Sequence, residues 1–291
     1  MTYLSGSSTR EIDLVSNSFG EAISLNSRIR MTGSIANWGK RLLASVGKTV
    51  KAQHRLALQH LAQQNVLPAV AVTSQRSSRE RSQRSSIDVS VKSEAAHEAN
   101  AETWLFWLKS YNSQSLVLAV RTIWHASVNA VLTGPRQSRK RGLQSYCMKW
   151  RRSLETVREL LTGSLSSSQR NKLSQVLLTV FEAEEMLQHL VTRKVLRTDD
   201  FSWVSLPRFS NDLDVAAEDD VTYSLNLGPI QLELGDEFYG YQTPFVWTSS
   251  CRQNWLRLVT IMELGYGVQT SCSQRHFAPE LCMAVTALCG W

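Results

Sequence analysis

Ser115-Leu-Val-Leu-Ala-Val-Arg-Thr-Ile-Trp-His-Ala-Ser-Val-Asn-Ala-Val-Leu132 is the stretch whose reading decides the fold class. Leu116, Val120, Ile123, Trp124, Val128 and Val131 recur at steps of mostly three or four residues, so they share one face of a helix. Gly134-Pro135 stops it, because glycine permits a left-handed turn and proline cannot continue the hydrogen-bond ladder. Downstream, Leu143, Tyr146, Cys147, Trp150, Leu154, Val157 and Leu161 place a second helix over Arg139 to Thr162, ended by Gly163. Ser166-Ser-Ser-Gln169 has the form of a capping box, serine at the N-cap and glutamine at N3. It opens a third helix to about Leu196, with Arg193, Lys194 and Arg197 at the end where the helix dipole favours positive charge.

Upstream, Ser34 to about Asn65 carries Ile35, Trp38, Leu42, Val46, Val50, Leu58 and Leu61 at helical spacing, with the Ser34 hydroxyl as a candidate cap. Between the two helical regions, 71–101 is rich in serine, arginine and glutamate and reads as a disordered insertion. Order returns at Trp104, Phe106 and Trp107, which are too bulky and apolar to leave in water without cost. After Asp220 the period changes to two. Val221, Tyr223, Leu225 and Leu227 alternate with polar residues, Gly228-Pro229 turns the chain, and Ile230, Leu232 and Leu234 alternate again, as in a β-hairpin. Helical stretches follow at about Arg252–Leu264 and Pro279–Leu288. The expected fold is mainly α, with one hairpin.

The whole chain has 291 residues, 43% of them hydrophobic, enough for a sizeable core and too apolar for disorder throughout. Its 14 glycines and 6 prolines are few, which favours long helices over a turn-rich β fold. No uninterrupted apolar run reaches the ~18–20 residues of a membrane span. The first residues lack the basic and apolar regions of a secretory signal. Five cysteines without a compact pattern suit a reducing compartment.

The net charge of +7 is patchy. Gln75–Arg84 is one basic stretch. Another is Arg136, Arg139, Lys140, Arg141, Lys149, Arg151 and Arg152, a run without an acid. Such runs bind phosphate backbones or acidic surfaces, or are simply solvated. No RNA- or DNA-reading motif accompanies them, so nucleic acid is not the expected partner.

The chemical motifs are decoys. Gly47-Lys48-Thr49 ends like a phosphate loop, but Leu42 stands where the first glycine belongs and the triplet lies inside a helix. Cys272, His276, Cys282 and Cys289 lack the paired spacing of a zinc site and read as buried thiols. Glu182, Glu184 and Glu185 read as a wet helix face. Trp104, Trp107, Trp124, Trp150 and Trp203 read as core. No catalytic residue, metal or cofactor is expected.

The order of segments resembles the dynein heavy chain family, from the linker to the start of the first AAA+ module. Gly20-Glu-Ala-Ile-Ser-Leu and Gly33-Ser-Ile-Ala-Asn-Trp38 resemble the linker stretch before its long helix. Ser115–Val131, with Ile123-Trp124 and Val128, is similar to the family's valine-rich helix. Leu165-Ser-Ser-Ser-Gln-Arg170, Asp200-Phe-Ser-Trp203 and Leu206-Pro-Arg-Phe209 resemble a later linker run. Phe238-Tyr-Gly-Tyr241 resembles the signature at the entry to the first AAA+ module. Together these cover about residues 20–291.

The resemblance implies a linker-like helical region over 1–220, then a hairpin and a truncated, degenerate AAA+ (α/β) segment over 221–291. It places the family's phosphate loop at about Ser271–Ala278. There Ser271, Gln274 and His276 replace glycines or their neighbours, Phe277 replaces the lysine, and Ala278 replaces the magnesium-binding hydroxyl, so nucleotide binding in the family's way is not expected. The implied polypeptide is a non-motor relative, a fragment or short form of a longer chain. Its implied partners are dynein-complex or axonemal proteins, or microtubules, without a membrane. Its implied location is the cytoplasmic cytoskeleton, in a cilium or flagellar axoneme such as that of sperm. A scaffold or assembly factor retaining the linker fold, and a basic nucleic-acid-binding module, are the alternatives.

Overall fold

The apolar stripe read over 115–132 is the central helix of the computed structural model, which describes residues 3–5, 11–63, 67, 101–212, 221–241, 249–267 and 269. Three strands come first: β1 (Tyr3–Ser5), β2 (Glu11–Ser16) and β3 (Ala22–Arg30), an antiparallel sheet in the order β1-β2-β3. Then follow α1 (Ile35–Gln63), a helical segment α2 over 101–110, α3 (Ser113–Thr133), α4 (Arg136–Thr162), α5 (Ser167–Thr192) and a single turn α6 (Phe201–Val204). Strands β4 (Arg208–Asn211), β5 (Tyr223–Leu227) and β6 (Ile230–Glu233) form a second antiparallel sheet, and α7 (Ser249–Glu263) comes last. The fold is mainly α, as expected.

Helix α3 packs against α1, α4, α5 and β4. Its core face joins Trp104, Trp107, Trp150, Trp203 and Trp255 with Leu173, Val176, Val180, Leu225 and Leu227 in one apolar cluster. The indole of Trp124 donates to the Ala183 carbonyl at 3.1 Å, tying α3 to α5. A smaller cluster of Val15, Ile23, Val46, Val50 and Phe238 seals the first sheet onto α1. By length and composition α3 would also cross a membrane, although no uninterrupted apolar run is that long. Here most of its apolar residues are buried against protein.

Several sequence expectations need correction. The first sheet was not foreseen. In β2 the buried residues are Ile12 and Val15, three apart, because the register shifts between Ile12 and Leu14. That bulge replaces the period-two signal with a helix-like spacing. The hairpin is as expected, with Leu227 opposite Ile230 and a φ of +60° at Gly228, the form of a II′ turn. A further strand, β4, pairs with β5, so this sheet spans the 220/221 boundary drawn from the sequence.

Helix α4 begins at Arg136, directly after Pro135, whose φ of −58° already suits a helix entry. Gly134 is extended rather than left-handed; its amide closes α3 by donating to the Ala130 carbonyl. Phe106 is 53% exposed, although its neighbours Trp104 and Trp107 are fully buried. Glu184 is buried and bonded to Arg151 at 3.1 Å, and Glu182 pairs with Arg121 at 3.6 Å, so these two are not a wet face, whereas Glu185 is exposed. The 71–100 part of the proposed insertion, the basic stretch at Gln75–Arg84, the four C-terminal cysteine and histidine positions and the helix at Pro279–Leu288 lie outside the described residues.

Helix α5 ends at Thr192, not Leu196, and its last turn explains why. Lys194 has a φ of +55°. Its amide donates to Val191 and that of Val195 to Leu190, the two bonds of a Schellman end, with Val195 and Leu190 both buried. A left-handed residue other than glycine costs about 1–2 kcal/mol. Lys194→Gly is therefore expected to stabilise the chain by about 1 kcal/mol, measured as a higher urea midpoint with an unchanged slope, whereas Lys194→Ala gains nothing.

Candidate functional site

The densest set of side-chain bonds between distant segments lies at the N-terminus of α3. Residues 17–21 turn from β2 into β3. The Asn17 side-chain oxygen accepts from the Phe19 and Glu21 amides, both at 3.0 Å. This fixes the Asn17 amide nitrogen, which donates to the carbonyls of Tyr239 at 2.9 Å and Tyr241 at 3.1 Å. Gln114 holds the same segment from the other side. Its nitrogen donates to the Glu237 carbonyl at 2.9 Å, and its oxygen accepts from the amides of Tyr239 and Gly240.

Glu21 sits at the centre, 5% exposed. Its carboxylate accepts from the Ser113 amide at 2.7 Å, from the Ser113 hydroxyl and from the Tyr241 amide. The Lys172 ammonium lies 3.5 Å away and also donates to the carbonyls of Leu108, in the last turn of α2, and Tyr111, just after it. Ser113 is the first residue of α3, so the carboxylate meets free amides at the positive end of a helix dipole. Asn112 caps the same helix by accepting from the Ser115 amide at 2.7 Å, and is itself held by Gln53 of α1.

Gly240 completes the arrangement. Its φ is +58°, and a Cβ there would lie 2.7 Å from a Glu21 oxygen and 2.8 Å from the Asn17 nitrogen. With its lone pairs occupied by fixed donors, the Glu21 carboxylate joins the 17–21 turn, α3, α5 and the 237–241 segment.

Two histidines are likewise absorbed by the core. His54 Nδ1 and the Ser115 hydroxyl are 2.7 Å apart, the separation of a base and its nucleophile. Both are buried, and the imidazole also meets the Tyr223 ring edge-on at 5.6 Å, so the pair joins α1 to α3. Burial pushes the His54 pKa down to about 3. His125 stacks on Trp203 and bonds the Phe209 carbonyl at 2.7 Å. Burial, then the nearby Arg208 charge, outweigh that bond and push its pKa down to about 4.

A cavity of about 30 Å³ lies between Arg121, Trp124, Glu182, Met186, Phe209 and Trp255. It has room for roughly one water, against the roughly 300 Å³ or more of a small-molecule site.

The Gly47-Lys48-Thr49 triplet is inside α1, as expected. Thr49 is buried and donates to the Ser45 carbonyl at 2.8 Å, and Gly47 lies against Asp236. Ser271, Gln274, His276, Phe277 and Ala278 lie outside the described residues. Among the described residues no group of three or more histidine, cysteine or acidic side chains is arranged for a metal. Asn17, Glu21, Ser113, Gln114 and Lys172 were missed as a group by sequence reasoning, because they come from three separate segments with no shared spacing. The one available hint was that Glu21 and Tyr241 both fall in stretches resembling the same family. No protein-family model matches the chain.

Removing one partner of a buried ion pair leaves the other unpaired and costs about 3–5 kcal/mol. Glu21→Ala is expected to lose that much in urea denaturation, and Lys172→Met added to it to recover part of the loss. The histidines predict acid sensitivity. Their folded pKa values lie below the usual 6.5, so the unfolded chain binds more protons between that value and about 3 for His54 or 4 for His125. Stability therefore falls as pH drops through this window, by up to about 1.4 kcal/mol per pH unit for each histidine. His54→Gln should flatten the pH dependence of the urea midpoint between pH 7 and 5.

Proposed function

We propose that this chain is a non-catalytic mechanical or structural element of a ciliary or flagellar axonemal, or microtubule-associated, complex, comparable to a dynein linker with the start of its first AAA+ module. One observation carries the reading. The segment resembling the family's entry signature is gripped on its carbonyls and its amides by Asn17, Glu21 and Gln114, residues of the β2–β3 turn and of α3. A junction that passes force needs many directional bonds that fail together, and this one has them.

The helices suit the role. At about 1.5 Å per residue, the 29 residues of α1 make a rod of roughly 44 Å. Long helices packed along a tryptophan core resist bending better than loops do. The polar pairs His54 with Ser115 and Glu21 with Lys172 hold elements together. The altered loop expected at Ser271–Ala278 belongs to the same reading.

Two measurements test it. A ligand at a hundred times its dissociation constant stabilises by about 2.7 kcal/mol. Millimolar magnesium ATP is expected to leave the melting temperature of the full chain within about 1 °C, and a rise of several degrees would overturn the non-catalytic part. Tagged in ciliated cells, the full chain is expected to fractionate with axonemes. An evenly soluble distribution would overturn the axonemal part.

A further inference from the structure

The seven cations of Arg136–Arg152 do not share one fate. Arg139 turns inward and donates to the carbonyls of Gly134 and Leu196, both at 2.8 Å. Arg151 pairs with the buried Glu184 at 3.1 Å. Arg136, Lys140, Arg141, Lys149 and Arg152 are exposed and make no ion pair among the described residues. The core face of the same helix carries Leu143, Tyr146, Trp150 and Val157, all buried. At about 100° per residue, Arg141 and Arg152 lie opposite that core face, Lys140 and Lys149 on its two flanks, and Arg136 in the first turn of the helix near the core side.

The stripe has structure beyond its charge. At about 100° per residue, Arg141, Met148 and Arg152 lie within about 40° of one another. Met148, 61% exposed, is therefore an apolar contact between two arginines. The stripe ends at Glu155 and Glu159, which are exposed on the same side. From Arg141 to Arg152 the helix rises about 17 Å, the reach of roughly five extended residues.

We propose that this outer face of α4, from Arg141 to Arg152, docks an acidic polypeptide segment of about five residues. Guanidinium groups pair with carboxylates through two parallel hydrogen bonds. Met148 offers the partner an apolar contact that a phosphate backbone does not use. The outer side chains of this stretch include no aromatic ring on which a base could stack, and the terminal glutamates would repel a polyanion that runs on. The inference follows from α4 alone and does not need the linker-like reading.

The test is fluorescence anisotropy of the full chain with labelled octaglutamate at low salt, beside oligothymidylate of equal charge. Octaglutamate is expected to bind, the better of the two, and to weaken as salt screens the pairs. The double substitution Arg141→Glu, Arg152→Glu is expected to lower its affinity at least about tenfold. Lys40→Glu with Lys109→Glu changes the net charge equally at exposed sites elsewhere and is expected to change affinity less than about threefold. Unchanged tryptophan fluorescence checks that the core is intact, and the Arg141→Gln, Arg152→Gln pair gives the same readout without charge reversal. Equal losses from the two pairs of reversals, tighter binding of oligothymidylate, or no binding of octaglutamate would each overturn the proposal.

Discussion

A carboxylate taken out of water has to be paired and hydrogen-bonded, or it unfolds its surroundings. Glu21 meets that demand with groups that no single element can supply. The Ser113 amide exists as a free donor only because α3 starts there, and the Tyr241 amide points inward only because Gly240 adopts a left-handed backbone. Lys172 reaches the carboxylate from α5 while closing the end of α2. One buried charge thereby fixes where the first sheet, three helices and the 237–241 segment meet. Displacing any of these elements strands a donor or the charge itself.

Around that junction, α3 distributes constraint through its core. On one side His54 of α1 bonds Ser115; on the other Trp124 bonds the backbone of α5, and His125 the backbone of β4. Each of these bonds is buried or nearly so, where the penalty for losing a partner is largest. The neutral histidines act here as shaped polar linkers, and acid weakens them by charging the unfolded chain first. The indoles fill the spaces between helices, with Trp203 set between Trp124 and the His125 ring.

The helices and the hairpin were legible because their signals are local. The Ser166–Gln169 capping box, the apolar spacing of α3 and α4, and the alternation across Gly228-Pro229 each depend on a few neighbouring residues. The first sheet was illegible because a bulge in β2 puts Ile12 and Val15 at a spacing that a helix also uses. Glu184 was misread for a related reason. Glutamate on a helix is usually solvated, and here Arg151 from α4, with the Gln188 side chain, makes its burial tolerable. The Glu21 junction was illegible as a site because its members are up to 224 residues apart and individually ordinary.

The same comparison separates two uses of charge in this chain. Arg139, Arg151, Lys172 and Glu21 are satisfied by fixed partners from other elements, and their energy goes into geometry. Arg136, Lys140, Arg141, Lys149 and Arg152 are exposed on a helix anchored by Tyr146 and Trp150, and make no ion pair among the described residues. Like charges crowded on a helix face repel one another, most strongly at low salt. A fold that gains nothing from that repulsion recovers it only when something acidic lies across the stripe. The physical asymmetry between spent and unspent cations, rather than the count of arginines, is what gives α4 an outward face.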